Sequence, residues 1–251
     1  MRHFIAFPSQ DRVHADTIER AAAAASAPEL EYVVWTRQDG SGTPVDRAIE
    51  SWLDEAVAVV ADLTYVNDNV TYEIGYAVGA HKDLRLIRNP TVDISDLKQI
   101  GLLDTLIRDH FKTRTDLEAL LRARPAPSNK WTRPSANDRQ QIYVLSPPTP
   151  TPLATKLFSA VKKRTRYKFR SFKAWEIGRL TAHEAWQQTA SSFGVIVTWH
   201  HGRDLETRRN NQRAALIFGM ARGADIPALL LAPTGAPLPA DLNDQATRFT
   251  D

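Results

Sequence analysis

The chain has 251 residues, of which 43% are apolar and 24% are charged, and it contains no cysteine. This length suits two domains of average size or one large domain, and the composition excludes a wholly disordered chain. The absence of cysteine excludes disulfide bonds and thiolate metal sites, and it suits a reducing compartment. The sequence has no apolar run of the roughly 18 residues that a membrane helix needs and no basic and apolar leader, so we expect a cytoplasmic protein without membrane contact.

Charge is distributed unevenly between the two halves of the chain. Residues 1–125 contain 14 Lys and Arg against 20 Asp and Glu, whereas residues 126–251 contain 18 against 9. The halves therefore carry about −6 and +9 by these counts. This split predicts either that the halves attract each other or that the second half contacts an anion.

Short apolar runs alternate with helical patterns in the first half, which is typical of βαβ units and a parallel sheet. The predicted strands are Phe4–Phe7, Tyr32–Trp35, Ala56–Ala61, Leu84–Ile87 and a weaker Leu106–His110. The predicted helices are Ala15–Ala25, Pro44–Glu55, the helix after residues 67–69, and Leu117–Arg124. Polar, proline-bearing sequence over residues 126–140 then predicts a linker.

The same order of elements begins again after the linker. The predicted strands are Ile142–Leu145, Tyr167–Phe172, Phe193–Val197 and Ile226–Leu231, and the helices are Pro152–Arg164, one opening at Thr181, and Glu206–Arg222. This order indicates an internal repeat, in which residues 73–79 correspond to residues 215–221 and Ala215 stands in the place of Glu73. We therefore expect two tandem α/β domains, residues 1–125 and 141–251; the alternative is two unrelated α/β domains.

Residues 59–77 form the most informative segment: a buried strand, a polar loop and a helix. Ligands of open α/β sheets bind beyond the carboxyl ends of strands, which is where Asp62 and the loop 67–69 are expected. One face of the helix carries Asn69, Tyr72, Glu73 and Tyr76. Because Glu73 follows the helix N-terminus closely, the helix dipole should keep it ionised, as a nucleophile must be.

Several sequence features resemble the nucleoside 2-deoxyribosyltransferase and TIR-like nucleotide-binding families. They are Asp-Leu-Thr at 62–64, Asn-x-Asn-Val at 67–70 and Tyr-Glu-Ile-Gly-Tyr-Ala at 72–77, and the resemblance covers about residues 1–90. It implies flavodoxin-like domains, each a doubly wound and mainly parallel sheet, and cleavage or transfer at the N-glycosidic bond of a nucleoside, nucleotide or NAD-like dinucleotide. It implies no cofactor and no metal.

The resemblance also assigns roles to residues. Glu73 and Asp62 are the implied catalytic residues: Glu73 attacks or stabilises the anomeric carbon, a carboxylate task in sugar chemistry, while Asp62 and Asn67 hold the base or sugar hydroxyls. The implied substrate-binding residues are Phe7, Ser9, Asn67, Asn69, Tyr72 and Tyr76. The family often has a Tyr in the first strand and a Gly-rich turn after it, where this chain has Phe7, Pro8 and Ser9, which leaves the orientation of the nucleophile open.

Both implied catalytic residues have an alternative role. Asp62 suits a cap for the following turn equally well, and the alternative for Glu73 is a solvated carboxylate on the helix surface. The alternative function is a protein that binds a nucleotide or nucleotide second messenger without altering it. Since related transferases complete their sites from a neighbouring subunit, we expect a monomeric pseudo-dimer of the two halves or a homodimer.

A basic stretch in the second half is compatible with nucleic-acid or polyphosphate contact. Residues 156–173 contain eight Lys and Arg and no acid, interleaved with aromatic residues. The favoured interpretation is a solvated face that docks on the acidic first half. The neighbours His200 and His201 lack further ligands at suitable spacing, so no metal site is predicted.

Overall fold

The computed structural model describes residues 1–37, 42–123, 131–132, 134, 141–146, 156, 159–160, 163–164, 166–172 and 179–250. The predicted linker 126–140 and the predicted helix Pro152–Arg164 lie largely outside these described residues. Within the described part of the chain, no helix has both the length and the apolar character needed to cross a membrane.

The first half forms a five-stranded, all-parallel sheet. Its strands are β1 Arg2–Ala6, β2 Glu31–Val34, β3 Ala58–Asp62, β4 Asp83–Arg88 and β5 Asp109–His110. Its helices are α1 Arg12–Ala25, α2 Val45–Glu55, α3 Asp68–Gly79, α4 Ser95–Ile100 and α5 Arg114–Arg122. The strand order is β2-β1-β3-β4-β5. β3 is buried along its whole length, as expected for the centre of a parallel sheet.

The second half repeats this architecture. Its strands are β6 Gln141–Leu145, β7 Lys168–Phe172, β8 Gly194–Thr198, β9 Ala228–Pro233 and β10 Ala246–Phe249, and its helices are α6 Ala182–Ala190, α7 Leu205–Gly223 and α8 Ala240–Asn243. All strand pairs are parallel, in the order β10-β9-β8-β6-β7. Within each half the order is second, first, third, fourth, fifth, which is the flavodoxin-like order. The predicted fold class, two tandem flavodoxin-like domains, is confirmed.

The two sheets share one continuous core on their inner faces. Side chains under α2 and α3 and those under α6 and α7 belong to the same apolar cluster. The outer face of the first sheet packs against α1 and α5 in a separate cluster, which includes Ile18 and Leu117. A third, smaller cluster around Ile142 and Val144 lies on the outer face of the second sheet. The inner faces of the halves therefore pack against each other.

Glycines allow α3 and α7 to pack backbone against backbone. A Cβ added at Gly75 would lie 2.2 Å from the carbonyl oxygen of Leu216, and one added at Gly219 would lie 2.2 Å from that of Tyr72. Real Cβ atoms do not approach oxygen this closely, because the atoms would overlap. Larger residues at these two positions would force the helices apart.

The same contacts define which residues of the two halves are equivalent. Gly79 faces the carbonyl oxygen of Met220 one turn further along α3, so the two helices run parallel. Gly75 approaches α7 in the way that Gly219 approaches α3, and this reciprocity makes Ile217 the counterpart of Glu73. The predicted correspondence of Glu73 with Ala215 is therefore wrong by two positions. The sequence identity between the halves is too low for a reliable alignment, whereas the reciprocal contacts of the glycines define the register.

Ion pairs across the interface follow the charge split seen in the sequence. Three arginines of the second half contact acids of the first half: Arg179 with Asp104 at 2.9 Å, Arg208 with Asp96 at 2.9 Å and Arg222 with Glu50 at 2.7 Å. All three arginines are partly exposed, so each pair contributes at most about 1 kcal/mol. Apolar and backbone packing therefore contributes most of the stability of the interface, and the ion pairs favour one relative orientation of the two halves.

Boundaries differ from the sequence prediction in a few places. β5 contains two residues rather than the five expected, and β4 is longer than predicted. The sequence analysis did not predict α4, α8 or β10. These elements are short and carry few apolar residues, so periodicity gives little signal for them.

Candidate ligand-binding cleft

A cleft of about 400 Å³ lies between the two halves. Its first wall consists of residues 66–69, which follow β3 and begin α3, together with Gln10 after β1. The opposite wall consists of residues 199–200 after β8 and residues 208 and 211–212 on α7. Ile100, Gly202 and residues 237–239 complete the lining. The cleft thus lies beyond the carboxyl ends of central strands of both sheets, where α/β folds bind ligands.

Two asparagines form the α3 side of the cleft. Asn67 is the N-cap of α3, and its Oδ1 accepts hydrogen bonds from the backbone nitrogens of Asn69 at 2.9 Å and Val70 at 3.2 Å. Asn69 has a buried Oδ1 that accepts no hydrogen bond from any described residue. A buried acceptor without a donor is costly, so this oxygen is a ready contact for a ligand.

Asp68 and Gln212 connect the two walls. The Nε2 of Gln212 donates to Asp68 Oδ1, and its Oε1 accepts from the hydroxyl of Thr71. Burial raises the pKa of Asp68 to about 6, although the Gln212 hydrogen bond and the charge of Arg208 act to lower it. The cleft therefore contains a carboxyl group that titrates near neutral pH.

His200 is held in one orientation on the α7 side. Asn211 donates from Nδ2 to the His200 carbonyl oxygen and accepts at Oδ1 from the His200 backbone nitrogen, both at 3.0 Å. The His200 Nε2 lies 2.9 Å from the Thr198 hydroxyl. Burial lowers the pKa of His200, so the ring is neutral at pH 7 and presents a hydrogen-bonding group without charge.

Asp62 lies below this region, at the end of β3, and is fully buried. Its Oδ2 lies 2.6 Å from Nε2 of His14, and its Oδ1 accepts from the backbone nitrogen of Thr64 at 3.1 Å. His14, in turn, stacks on Phe111. The carboxylate therefore stabilises the turn after β3 and a buried histidine, which is the capping alternative from the sequence, and it does not line the cleft.

Glu73 does not belong to the described cleft lining either. Its side chain is 3% exposed, and burial raises its pKa well above the ordinary value, with a further contribution from the nearby Asp241 of α8. Burial likewise raises the pKa of Asp241 to about 7, and the charge of Asp46 adds to this. Desolvation between the two halves therefore acts against the helix dipole, which was expected to favour the ionised form of Glu73.

The predicted substrate-binding tyrosines take part in interhelical contacts. The hydroxyl of Tyr72 donates to Glu50 at 2.6 Å, and that of Tyr76 donates to Asp54 at 2.9 Å, both on α2. The ring of Tyr72 lies 6.2 Å from that of Phe218 in α7. The second half covers the helix face that the sequence analysis assigned to the ligand.

Of the eight predicted site residues, the cleft brings together only Asn67 and Asn69. Phe7 is buried in the core beneath α1, and Ser9 is exposed on the loop after β1. The sequence analysis missed the cleft residues His200, Asn211 and Gln212, and it included Asp68 only as part of the loop 67–69. The run Asn-Asn-Gln at 210–212, where the polar first half of α7 meets its apolar second half, was the signal that could have identified part of this set.

Neither a protein-family model nor a curated protein sequence matches the chain. The fold alone therefore defines its class, a tandem α/β protein with two five-stranded parallel sheets. The resemblance of residues 62–77 to the transferase and TIR-like families stays a prediction.

Proposed function

We propose that the cleft between the halves binds a nucleoside-class ligand, in which a nucleobase is joined to a sugar. The observation that carries this proposal is that four side-chain amides line one cleft: those of Asn67, Asn69, Asn211 and Gln212. Asn211 and Gln212 use both ends of their amides to hold the cleft wall, whereas the amide of Asn69, with its unpartnered Oδ1, and the Nδ2 of Asn67 are left for a ligand. An amide presents a donor beside an acceptor, which matches the edges of nucleobases and the hydroxyls of sugars. The sequence resemblance points to the same ligand class.

The charges around the cleft favour an uncharged ligand over a polyphosphate. Arg208 is the one arginine or lysine in the described lining, and Asp96 already pairs with it at 2.9 Å. Asp68 adds negative charge above pH 6, and His200 is neutral. A triphosphate would bring several negative charges with little compensation.

Calorimetric titration with the common nucleosides and their 5′-triphosphates tests this proposal. We expect at least one nucleoside to bind, and its triphosphate to bind no more tightly. Asn69→Ala should weaken that binding about tenfold, because one hydrogen bond to a buried acceptor is lost. The control is Asn243→Ala, which removes an exposed amide outside the cleft. Preference for every triphosphate, or equal effects of the two variants, would contradict the proposal.

A second candidate function is cleavage of the N-glycosidic bond of that ligand. The observation that favours it is the pKa of Asp68, which is close to that of a general acid working at neutral pH. The protonated carboxyl group would donate its proton to the departing base, while water or a second base attacks the sugar carbon. The family resemblance assigns the essential carboxylate to Glu73 instead.

Two isosteric variants separate these assignments. If Asp68 is the acid, Asp68→Asn abolishes base release and retains ligand binding, whereas Glu73→Gln retains activity. If Glu73 is essential, the pattern reverses. Free base measured by chromatography, beside calorimetry on the same variants, gives both readouts. Base release that falls as pH rises through about 6 supports Asp68, because its protonated form is then depleted. Binding without release by the unaltered protein would exclude cleavage and leave the binding proposal intact.

A further inference from the structure

A basic groove lies in the second half, away from the cleft. Its volume is about 380 Å³, and its lining is Lys156, Ser159, Ala160, Lys163 and Arg164. These positions recur at three, four, seven and eight residues, the spacing of a single helix face. The three cations are exposed, and no acidic residue belongs to the described lining.

The chain continues from this groove into a pair of aromatic rings, of which Phe193 is exposed and Tyr167 is partly buried. Tyr167 follows Arg164 by three residues, so it lies within about 11 Å of it along the chain. The Tyr167 ring stacks on Phe193 with centroids 4.2 Å apart and planes 19° apart. Phe193 is 38% exposed, and Arg166 beside the pair is exposed as well. Cations and accessible aromatic surface thus occur together.

This region lies on the side of the second sheet opposite the first half. The groove residues connect β6 to β7, just as α1 connects β1 to β2, and right-handed crossovers place both on the outer face of their sheets. Tyr167 packs against the outer-face cluster of the second sheet. The described ion pairs with acids of the first half come from Arg179, Arg208 and Arg222, none of which belongs to the stretch 156–173.

We propose that this outer face binds single-stranded nucleic acid. Four exposed cations, Lys156, Lys163, Arg164 and Arg166, are available to phosphates, and no described acid forms an ion pair with any of them. The ring pair of Tyr167 and Phe193 offers a surface on which an unpaired base stacks. Bases in a duplex are already stacked on one another, so the aromatic pair selects single strands. This site is independent of the nucleoside cleft.

Fluorescence anisotropy on the full chain tests the proposal, with a labelled twelve-nucleotide oligo(U), the equivalent oligo(dT) and a duplex of the same length. We expect at least one single strand to bind more tightly than the duplex. The triple variant Lys156→Glu, Lys163→Glu, Arg164→Glu should weaken binding at least tenfold. It should also make the salt dependence shallower, because each phosphate contact contributes about −0.7 to the slope of log affinity against log salt. Phe193→Leu should weaken binding about tenfold by removing the stacking surface.

The matched control is Arg12→Glu, Arg47→Glu, Lys112→Glu, which makes the same change in net charge with exposed residues of the first half. We expect it to change affinity less than twofold. Equal losses in both triple variants would show a general charge effect and overturn the proposal. Duplex binding as tight as single-strand binding, or binding only to anionic lipid vesicles, would overturn it as well. Circular dichroism melts of each variant show whether the fold is retained, and Phe193→Leu provides the uncharged second variant if a triple variant misfolds.

Discussion

The two central helices, α3 and α7, show what the halves share and where they differ. Both carry two glycines four residues apart at the interhelical contact, Gly75 and Gly79 in one and Gly219 and Gly223 in the other. Next to them, however, α3 has Glu73 where α7 has Ile217. The shared residues are those that the close contact of two backbones requires. The two residues that differ lie beside this backbone contact, which does not require a particular side chain at their position.

This difference changes the interpretation of the first half. Ile217 fills its place without a buried polar group, so an acid at the equivalent position is not needed for packing. Glu73 pays a desolvation cost that packing does not explain, beside Asp241 and Asp46, which each have a buried carboxyl oxygen without a partner among the described residues. The interface therefore contains a group of buried carboxyls around Glu73, and its counterpart Ile217 contributes none.

Removing one half should have the largest effect. Residues 1–125 alone expose the face of α3 that α7 covers, with its glycines ready to meet the same face of a second copy. We expect this fragment to form dimers through α3, or to aggregate, rather than remain monomeric. Size-exclusion chromatography with light scattering measures the outcome. A Gly75→Leu fragment should lose the dimer. The measurement is made at about 100 µM, which is on the order of the dissociation constant of a weak dimer. A monodisperse monomer at this concentration would contradict the equivalent roles of α3 and α7 in the interface.

Substituting one glycine in the intact chain should have the next largest effect. Gly219→Ala places a methyl group 2.2 Å from the Tyr72 carbonyl oxygen, so we expect a loss of about 3 kcal/mol in the free energy of unfolding. The control is Gly101→Asn, in a left-handed helix cap where the nearest atom would be 3.6 Å away. Its cost should stay below about 1 kcal/mol, since Asn tolerates this conformation. Urea denaturation compares the two, and similar losses would mean that close contact is not the cause.

The sequence predicted the repeated βαβ order and the fold class because buried parallel strands are continuous apolar runs between helical patterns. The strand β3, with every residue buried, is the clearest case. The sequence also led to Asn67 and Asn69, which line the cleft, since the position beyond the carboxyl end of a strand follows from topology alone.

The role of Glu73 could not be predicted in the same way. Helical spacing puts Glu73 on a shared face with Tyr72, but spacing does not say whether solvent, a ligand or another helix meets that face. In this chain α7 and α8 meet it, and both come from a segment more than a hundred residues later. The other wall of the cleft, with His200 and Asn211, has the same origin.

The smallest of the three expected effects is a dependence of stability on pH. It follows from the buried carboxyl groups around Glu73, which Ile217 lacks in the other half. The pKa of Asp241 is about 7 in the folded protein and about 3.9 in an unfolded chain. Between these values the folded state binds more protons, so the stability contribution is complete below about pH 4 and is lost as pH rises to about 7. Glu73 acts in the same direction, because its folded pKa is raised as well.

We therefore expect the free energy of unfolding to fall from pH 5 to pH 7, by at most about 1.4 kcal/mol per pH unit for each group. Asp241→Asn should flatten this dependence, since asparagine mimics the protonated acid at every pH. Asp244→Asn, an exposed neighbour, should leave the slope unchanged. Urea denaturation at half-unit pH intervals measures all three proteins. Parallel slopes for the unaltered chain and Asp241→Asn would show that Asp241 does not take up a proton on folding, and the raised pKa of this carboxyl group would then be contradicted.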